Sequence, residues 1–418
     1  MQRQLRWLWL VAMIAGSVPS RAFGQKSLTW QQLKDQFEAT NPTLQAGRSG
    51  IDEARALEIT AHLRPNPNLT STIDQLDPFS ANPYRPLGFA LPFVSASYLH
   101  ERDGKRELRT ESARKNTALV ASQLADQERL LLFNLRNSFV ATLQQKAVGA
   151  LATENLAYYD RVLTVSSDRY KAGDIAQVDL DRLELQRVQF ETDLQSALVG
   201  LRTAKIQLLA LLDDHTPVDQ FDVTGAFEYT EQVLTLEELH ETALANRPDL
   251  RAALEAVEKA KTDHRLAVAN GSTDPTFSVD LARNPPIPVY FGFSITIPLR
   301  IFDRNQGEKA RTELDIQRNE RLQQASRVQV FSDTDSAFAT WNSTRVLLRA
   351  YKNKYLDQAT RVRDTVSFAY RNGGASLLDF LSAQNDYRSV QLNYLNLVGS
   401  YMTAASQLNM AVGIEVIK

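Results

Sequence analysis

Apolar residues recur along this chain with two periods, and the order in which the periods alternate is repeated. Ala46, Ile51, Ala54, Leu57 and Ala61 fall at helical spacing and predict a helix over 28–63, stopped by Pro65 and Pro67. Residues 68–76 (NLTSTIDQL) alternate as a strand does, 77–86 (DPFSANPYRP) read as a loop, and 87–99 read as a second strand. The second half repeats this: a helix over 236–269, then strands over 276–282 and 289–297 around the tight loop NPPIP at 284–288. Along the last strand Tyr290, Gly292, Ser294 and Thr296 share one face, while Val289, Phe291, Phe293, Ile295 and Ile297 share the other. That division fits a strand of a membrane barrel. A half-buried strand of a soluble sheet would show the same alternation.

The helical period then runs unusually far. Residues 105–168 hold no Pro and one Gly, Gly149, and 308–370 hold neither. At ~1.5 Å per residue the first is roughly 95 Å of helix, a length belonging to coiled coils or helical repeats. Apolar positions spread around it (Leu130 to Phe133, Leu135, Phe139, Val140, Leu143), so it packs on more than one side. A break at Gly173, and at Gly373-Gly374, leads into second long helices over 175–212 and 375–412. Two helical hairpins result.

The duplication is visible in motifs as well. Asn41-Pro42-Thr43-Leu44 is matched by Asn246-Arg247-Pro248-Asp249-Leu250. Tyr170-Lys171-Ala172-Gly173 followed by Asp179 is matched, at equal spacing, by Tyr370-Arg371-Asn372-Gly373 followed by Asp379. The implied division is a leader at 1–24, a first repeat at 25–212, a connector at 213–235 with room for a small strand pair, and a second repeat at 236–418.

Composition narrows the class. Arg3 and Arg6, the apolar run from Trp7 to Val18, and the small residues around Ala22-Phe23-Gly24 read as a secretory signal, with Gln25 as the first mature residue. After residue 24 no stretch is apolar for the ~18 residues of a membrane helix. A net charge of −2 excludes a nucleic-acid partner held by phosphate attraction. With no Cys there is no disulfide and no thiol chemistry. His62, His100, His215, His240 and His264 lack metal-ligand spacing, and no catalytic set stands out. The expectation is a protein that is not an enzyme, holds no cofactor and has no metal site.

Two strands per repeat make four per chain. Four strands cannot close a barrel, and open edges cannot sit in lipid, so closure needs several chains. Three would give twelve strands, continued by a tube of hairpins that projects into the periplasm.

The whole mature length resembles the TolC-like outer-membrane efflux proteins. The resemblance is carried by the paired Asn-Pro and Arg-Pro helix starts, the duplicated Tyr-x-x-Gly tips, and the strand-to-helix passage Ile297-Pro298-Leu299-Arg300-Ile301-Phe302-Asp303-Arg304-Asn305-Gln306-Gly307. That passage is most similar to the branch serving cobalt-zinc-cadmium cation pumps. The resemblance implies a mixed α and β membrane fold: a trimeric twelve-stranded β-barrel in the outer membrane, continued by a long periplasmic α-helical barrel. It implies a homotrimer in outer-membrane lipid, joined through a periplasmic adaptor to an inner-membrane resistance-nodulation (RND) pump, acting as a passive duct for substrates that include heavy-metal cations. The same duct serving type I protein secretion, and a secreted coiled-coil scaffold without a pore, are the alternative readings.

For individual residues, Asp179 and Asp379 would stand just inside the returning helices. On position alone each favours its helix N-terminus through the dipole. The resemblance implies an acidic ring at the periplasmic mouth, with Tyr370 hydrogen-bonding Asp179 of a neighbouring hairpin and Tyr170 in the equivalent place. Packing of each tyrosine within its own tip is the alternative. Gly173, Gly373 and Gly374 are expected to supply unusual dihedrals where an adaptor docks. Family members can carry Arg where this chain has Ala375, so an ionic latch of that kind is missing.

Overall fold

The computed structural model describes residues 26–79, 83–284 and 286–417. The expected leader at 1–24 and its cleavage site lie outside the described residues. These residues form six strands and nine α-helices, and Cα proximity divides the chain into two compact units.

One unit comprises the chain up to Phe37 and Ser138–Phe227. Strand β1 (Lys26–Leu28) pairs in parallel with β4 (Phe221–Val223). Leu28, Phe221 and Val223 are buried there with Leu33 and Phe37 of α1 (Trp30–Thr40). Helix α3 (Lys105–Lys171) contributes its second half, and α4 (Gln177–Leu211) returns alongside. The rings of Tyr159 and Phe190, 4.7 Å apart, join the two helices. Lys146 and Lys205 both reach Asp222, at 2.6 and 3.1 Å, fixing the connector to the hairpin.

The other unit, Glu38–Asn137 and Glu228–Lys418, holds the larger sheet. Strands β2 (Asn68–Asp74), β3 (Leu91–Leu99), β5 (Thr276–Asn284) and β6 (Ile287–Thr296) lie antiparallel in the order β2-β3-β5-β6. Thr70, Ser95, Asp280 and Gly292 stand in one cross-strand row, and Leu281 faces Phe291 in the next. One face is therefore polar. The other presents Leu69, Val279, Phe291, Phe293 and Ile295, and it is uncovered: Phe291, Phe293 and Ile295 are 72%, 82% and 62% exposed.

The helices of this unit are α2 (Pro42–His62), α5 (Leu236–Asn246), α6 (Pro248–Asn270), α7 (Gln306–Ala350), α8 (Leu356–Arg371) and α9 (Leu377–Val412), with α7 packed against α5, α6 and α9. Trp341 is fully buried against the ring of Tyr401, whose hydroxyl donates to the Thr230 carbonyl at 2.8 Å.

Three expected elements differ from the structure, each for a local reason. The expected helix over 28–63 is two helices preceded by a strand. Asn41 is extended because Pro42 follows it, and its carboxamide accepts from the amides of Thr43 and Leu44 at 3.0 and 3.1 Å, so α2 starts afresh. The helix over 236–269 divides in the same way at Arg247, ahead of Pro248. The strand expected from residue 87 begins at Leu91, because Gly88 and Ala90 donate back to the carbonyls of Arg85 and Leu87 and close turns.

The second long helix is also not uniform. A single π-helical turn, Tyr351–Tyr355, separates α7 from α8, where the sequence carries neither Pro nor Gly.

Candidate functional site

The hairpin tips are built by the same backbone device. In the first, Gly173 takes φ +84°. Its amide donates to the Tyr170 carbonyl at 2.9 Å, and the Asp174 amide donates to Arg169 at 2.9 Å. In the second, Gly373 takes φ +77°, with bonds from Gly373 to Tyr370 at 3.1 Å and from Gly374 to Ala369 at 2.8 Å. This paired closure satisfies the last carbonyls of a helix and needs a left-handed residue, which glycine supplies without strain.

Gly374 departs from the expectation. It is absent from the residues with positive φ, and a Cβ there would meet the Ala369 carbonyl at an ordinary 3.6 Å. Its counterpart in the first tip is Asp174, so the position has no need of glycine.

The two carboxylates are held differently. Ser376 and Asp379 form a reciprocal cap: the Asp379 amide donates to Ser376 Oγ at 3.1 Å, while the Ser376 amide and hydroxyl donate to Asp379 Oδ2 at 3.2 and 2.7 Å. These bonds from Ser376, side chain before backbone, hold the exposed Asp379 carboxyl below its ordinary value. In the first repeat the cap position is Ala176, which has no side-chain cap, and no hydrogen bond engages the Asp179 carboxylate among the described residues.

The tyrosines differ too. Tyr370 is 6% exposed, with its ring stacked on Phe380 at 4.9 Å, whereas Tyr170 is 39% exposed. Each tip belongs to its own unit.

The strand-to-helix passage is a tight turn with an outward apolar edge. Asn305 is left-handed at φ +61°. Its amide donates to Asp303 Oδ1 at 2.8 Å, and its carboxamide donates to the Ala267 carbonyl at 2.7 Å. The Arg304 amide donates to Gln306 Oε1 at 2.8 Å, and Thr273 Oγ1 donates to the Pro298 carbonyl at 3.4 Å. Leu299 and Phe302 are exposed, and Gly307 has open space where a Cβ would stand. The passage into α3 uses the same backbone region at Asp103 and Gly104.

In the sequence Arg247 and Asp249 stand out only as part of a motif. They form a buried ion pair of this unit. Arg247, 4% exposed, holds Asp249 at 2.6 Å and Asp333 at 2.9 Å, and donates to the Ala411 carbonyl at 3.2 Å. Burial would raise the Asp249 pKa, but the Arg247 guanidinium outweighs it and holds the carboxyl below its ordinary value. The Ser-x-x-Asp spacing at 376–379 was the readable sign of the cap. Nothing in the sequence marks Asp333, 86 residues from Arg247. Among the described residues no group of three or more His, Asp or Glu side chains is placed to hold a metal ion.

An exposed apolar sheet face with open edges, continued by very long helical hairpins, defines the outer-membrane channel class of fold. The chain aligns with a crystal structure of CusC, from work on its folding and transmembrane channel formation, at a TM-score of 0.76 and 17% identity over 96% of each chain. The family model "Outer membrane efflux protein" matches residues 239–414. The cobalt-zinc-cadmium resistance protein CzcC of Cupriavidus metallidurans is 24% identical over 92% of this chain and 90% of its own length. The pyoverdine export outer membrane protein OpmQ of Pseudomonas aeruginosa is 25% identical over 82% of this chain and 72% of its own. Residues 239–414 thus match the outer membrane efflux protein family, and the likeness to CzcC spans nearly the whole chain.

Proposed function

We propose that this protein is the outer-membrane channel subunit of a tripartite efflux system. Three copies close a twelve-stranded barrel, and their hairpins form the periplasmic duct. The duct is passive; a periplasmic adaptor delivers substrate from an energised inner-membrane pump of the resistance-nodulation type.

The observation that carries this reading is the sheet. Its apolar face is uncovered along β5 and β6, and among the described residues no strand pairs with the outer edges of β2 and β6. An uncovered face of Phe, Ile and Val suits lipid. Unpaired strand edges in lipid must find another copy.

Heavy-metal cations are the favoured cargo, supported by likeness to CzcC along nearly the whole of both chains. The gate is proposed at the tips, with Asp179 and Asp379 lining the mouth and Gly173 and Gly373 shaping the ends that meet the adaptor. Gly374 is carried with the second tip by position alone. Stacking on Phe380 supports a packing role for Tyr370 within its own tip, and the hydroxyl of the more exposed Tyr170 is the better placed of the two to reach a partner.

Deletion of the gene in its host, followed by measurement of zinc, cobalt and cadmium tolerance with and without complementation, tests this reading. Loss of metal tolerance supports it. Unchanged metal tolerance with loss of a secreted protein would assign the duct to type I secretion instead.

A further inference from the structure

Asp280 is a carboxylate in the middle of a strand that the fold places in a membrane. Its row of the sheet is Thr70, Ser95, Asp280 and Gly292. Its nearest neighbours across the sheet are therefore a hydroxymethyl group and a hydrogen atom. A Cβ built on Gly292 would lie 3.5 Å from both Cβ and Oδ2 of Asp280, so the carboxylate leans over the glycine rather than against a side chain. Among the described residues no hydrogen bond or ion pair engages it.

The rest of this face explains why the charge matters. By the alternation of the pleat, the residues of the four strands that share it are mostly hydroxyl-bearing, small, aromatic or amide, with Leu91 and Leu99 at the two ends of β3, and none is Lys or Arg. The single cation of these four strands, Arg283, sits at the irregularity between Ala282 and Asn284 at the end of β5, away from the middle of the sheet. The other carboxylate on the polar face, Asp74, is the last residue of β2 and lies at the edge of the sheet rather than in its middle.

An ionised side chain on a spanning strand is costly unless it faces water. The apolar face takes the lipid, so Asp280 is left to the lumen. Rotational symmetry of a closed ring of copies sets the carboxylates of all copies at one level. Uncompensated carboxylates at one level of a narrow pore favour cations and repel anions.

We infer that Asp280 is a selectivity-determining residue of the barrel lumen, giving it preference for cations over anions. This rests on the channel reading above.

The test is reversal potential in a planar lipid bilayer under a potassium chloride gradient, with the purified full chain. The wild type is expected to be cation-selective. In Asp280→Asn the reversal potential shifts towards zero, and Asp280→Glu retains the wild-type value. Ser294→Lys, on the same face of β6, produces the same shift as Asp280→Asn while leaving Asp280 in place. This second variant decides the matter if Asp280→Asn fails to insert. Conducting channels whose reversal potential is unmoved in Asp280→Asn or, where that variant does not insert, in Ser294→Lys would overturn the inference. A wild type that never conducts would instead overturn the channel reading itself.

Discussion

Ser376 and Asp379 cap each other across the first turn of α9, with Ser376 Oγ 2.7 Å from Asp379 Oδ2 and the Asp379 amide 3.1 Å from Ser376 Oγ. The equivalent first-repeat pair is Ala176 and Asp179, which cannot form this cap. Duplication has kept the aspartates while their local attachment has diverged. Ser376→Ala is expected to weaken the start of α9 by about 1 kcal/mol, and Ala176→Ser to stabilise the start of α4 by a similar amount. Amide hydrogen exchange at the two helix starts checks both: exchange should accelerate in the first variant and slow in the second.

The same cap has a pH dependence whose sign is determined. The Asp379 carboxyl is held below its ordinary 3.8 by the bonds from Ser376. A lowered folded-state pKa contributes stability that is fully present above the unfolded value and is lost as pH falls through the folded value. Protection at the start of α9 is therefore expected to persist down to the ordinary carboxylate range and fail only below it. In Ser376→Ala the loss on acidification should be smaller. Equal acid sensitivity in both proteins would remove the cap as its cause.

The tip glycines separate cleanly. Gly373→Ala forces a side chain into a left-handed conformation, at a cost of about 1–2 kcal/mol. Gly374→Ala has ordinary φ and ordinary room, and should be close to neutral. Thermal dissociation of the detergent-purified assembly, compared between the two variants, measures the difference.

Arg247→Ala leaves Asp249 and Asp333 without their shared cation and the Ala411 carbonyl without its donor. Breaking a buried pair from one side costs about 3 kcal/mol or more. Asp333 remains partly in water, which places the effect at the lower end. Reduced yield of folded protein and a lowered Tm are expected, with little rescue from Arg247→Lys, since a lysine cannot span two carboxylates and a carbonyl in this geometry.

Much of this architecture was legible in the sequence because its signals are local. Alternation along 289–297 marked the exposed apolar face, and absence of Pro and Gly marked the long helices. Other parts depend on partners far along the chain. The β1–β4 pair joins Lys26 to Phe221, and three-residue strands leave no periodicity to detect. The helix breaks before Pro42 and Pro248 were readable in principle, since the residue before a proline avoids the helical region. The apolar period continues through both prolines and masks the breaks. The cap at Ser376 was readable because it depends on residues three apart, whereas no Pro or Gly marks the π turn at Tyr351–Tyr355.

The apolar and polar faces of the sheet make opposite demands on substitution. Phe293→Arg puts a charge on the lipid side and is expected to cost about 2–4 kcal/mol near the bilayer midplane, so that protein is lost from the membrane fraction. Ser294→Lys, one residue on and facing the lumen, should still insert. Membrane fractionation of the two variants compares them directly.

The central claim is that copies of this chain close around that sheet in the outer membrane. Imaging of particles extracted by detergent from the outer-membrane fraction tests it most directly. Three-fold particles with a closed barrel are the predicted result. Water-soluble monomers or dimers, obtained without detergent and lacking a barrel, would contradict it and leave the coiled-coil scaffold as the account of these helices.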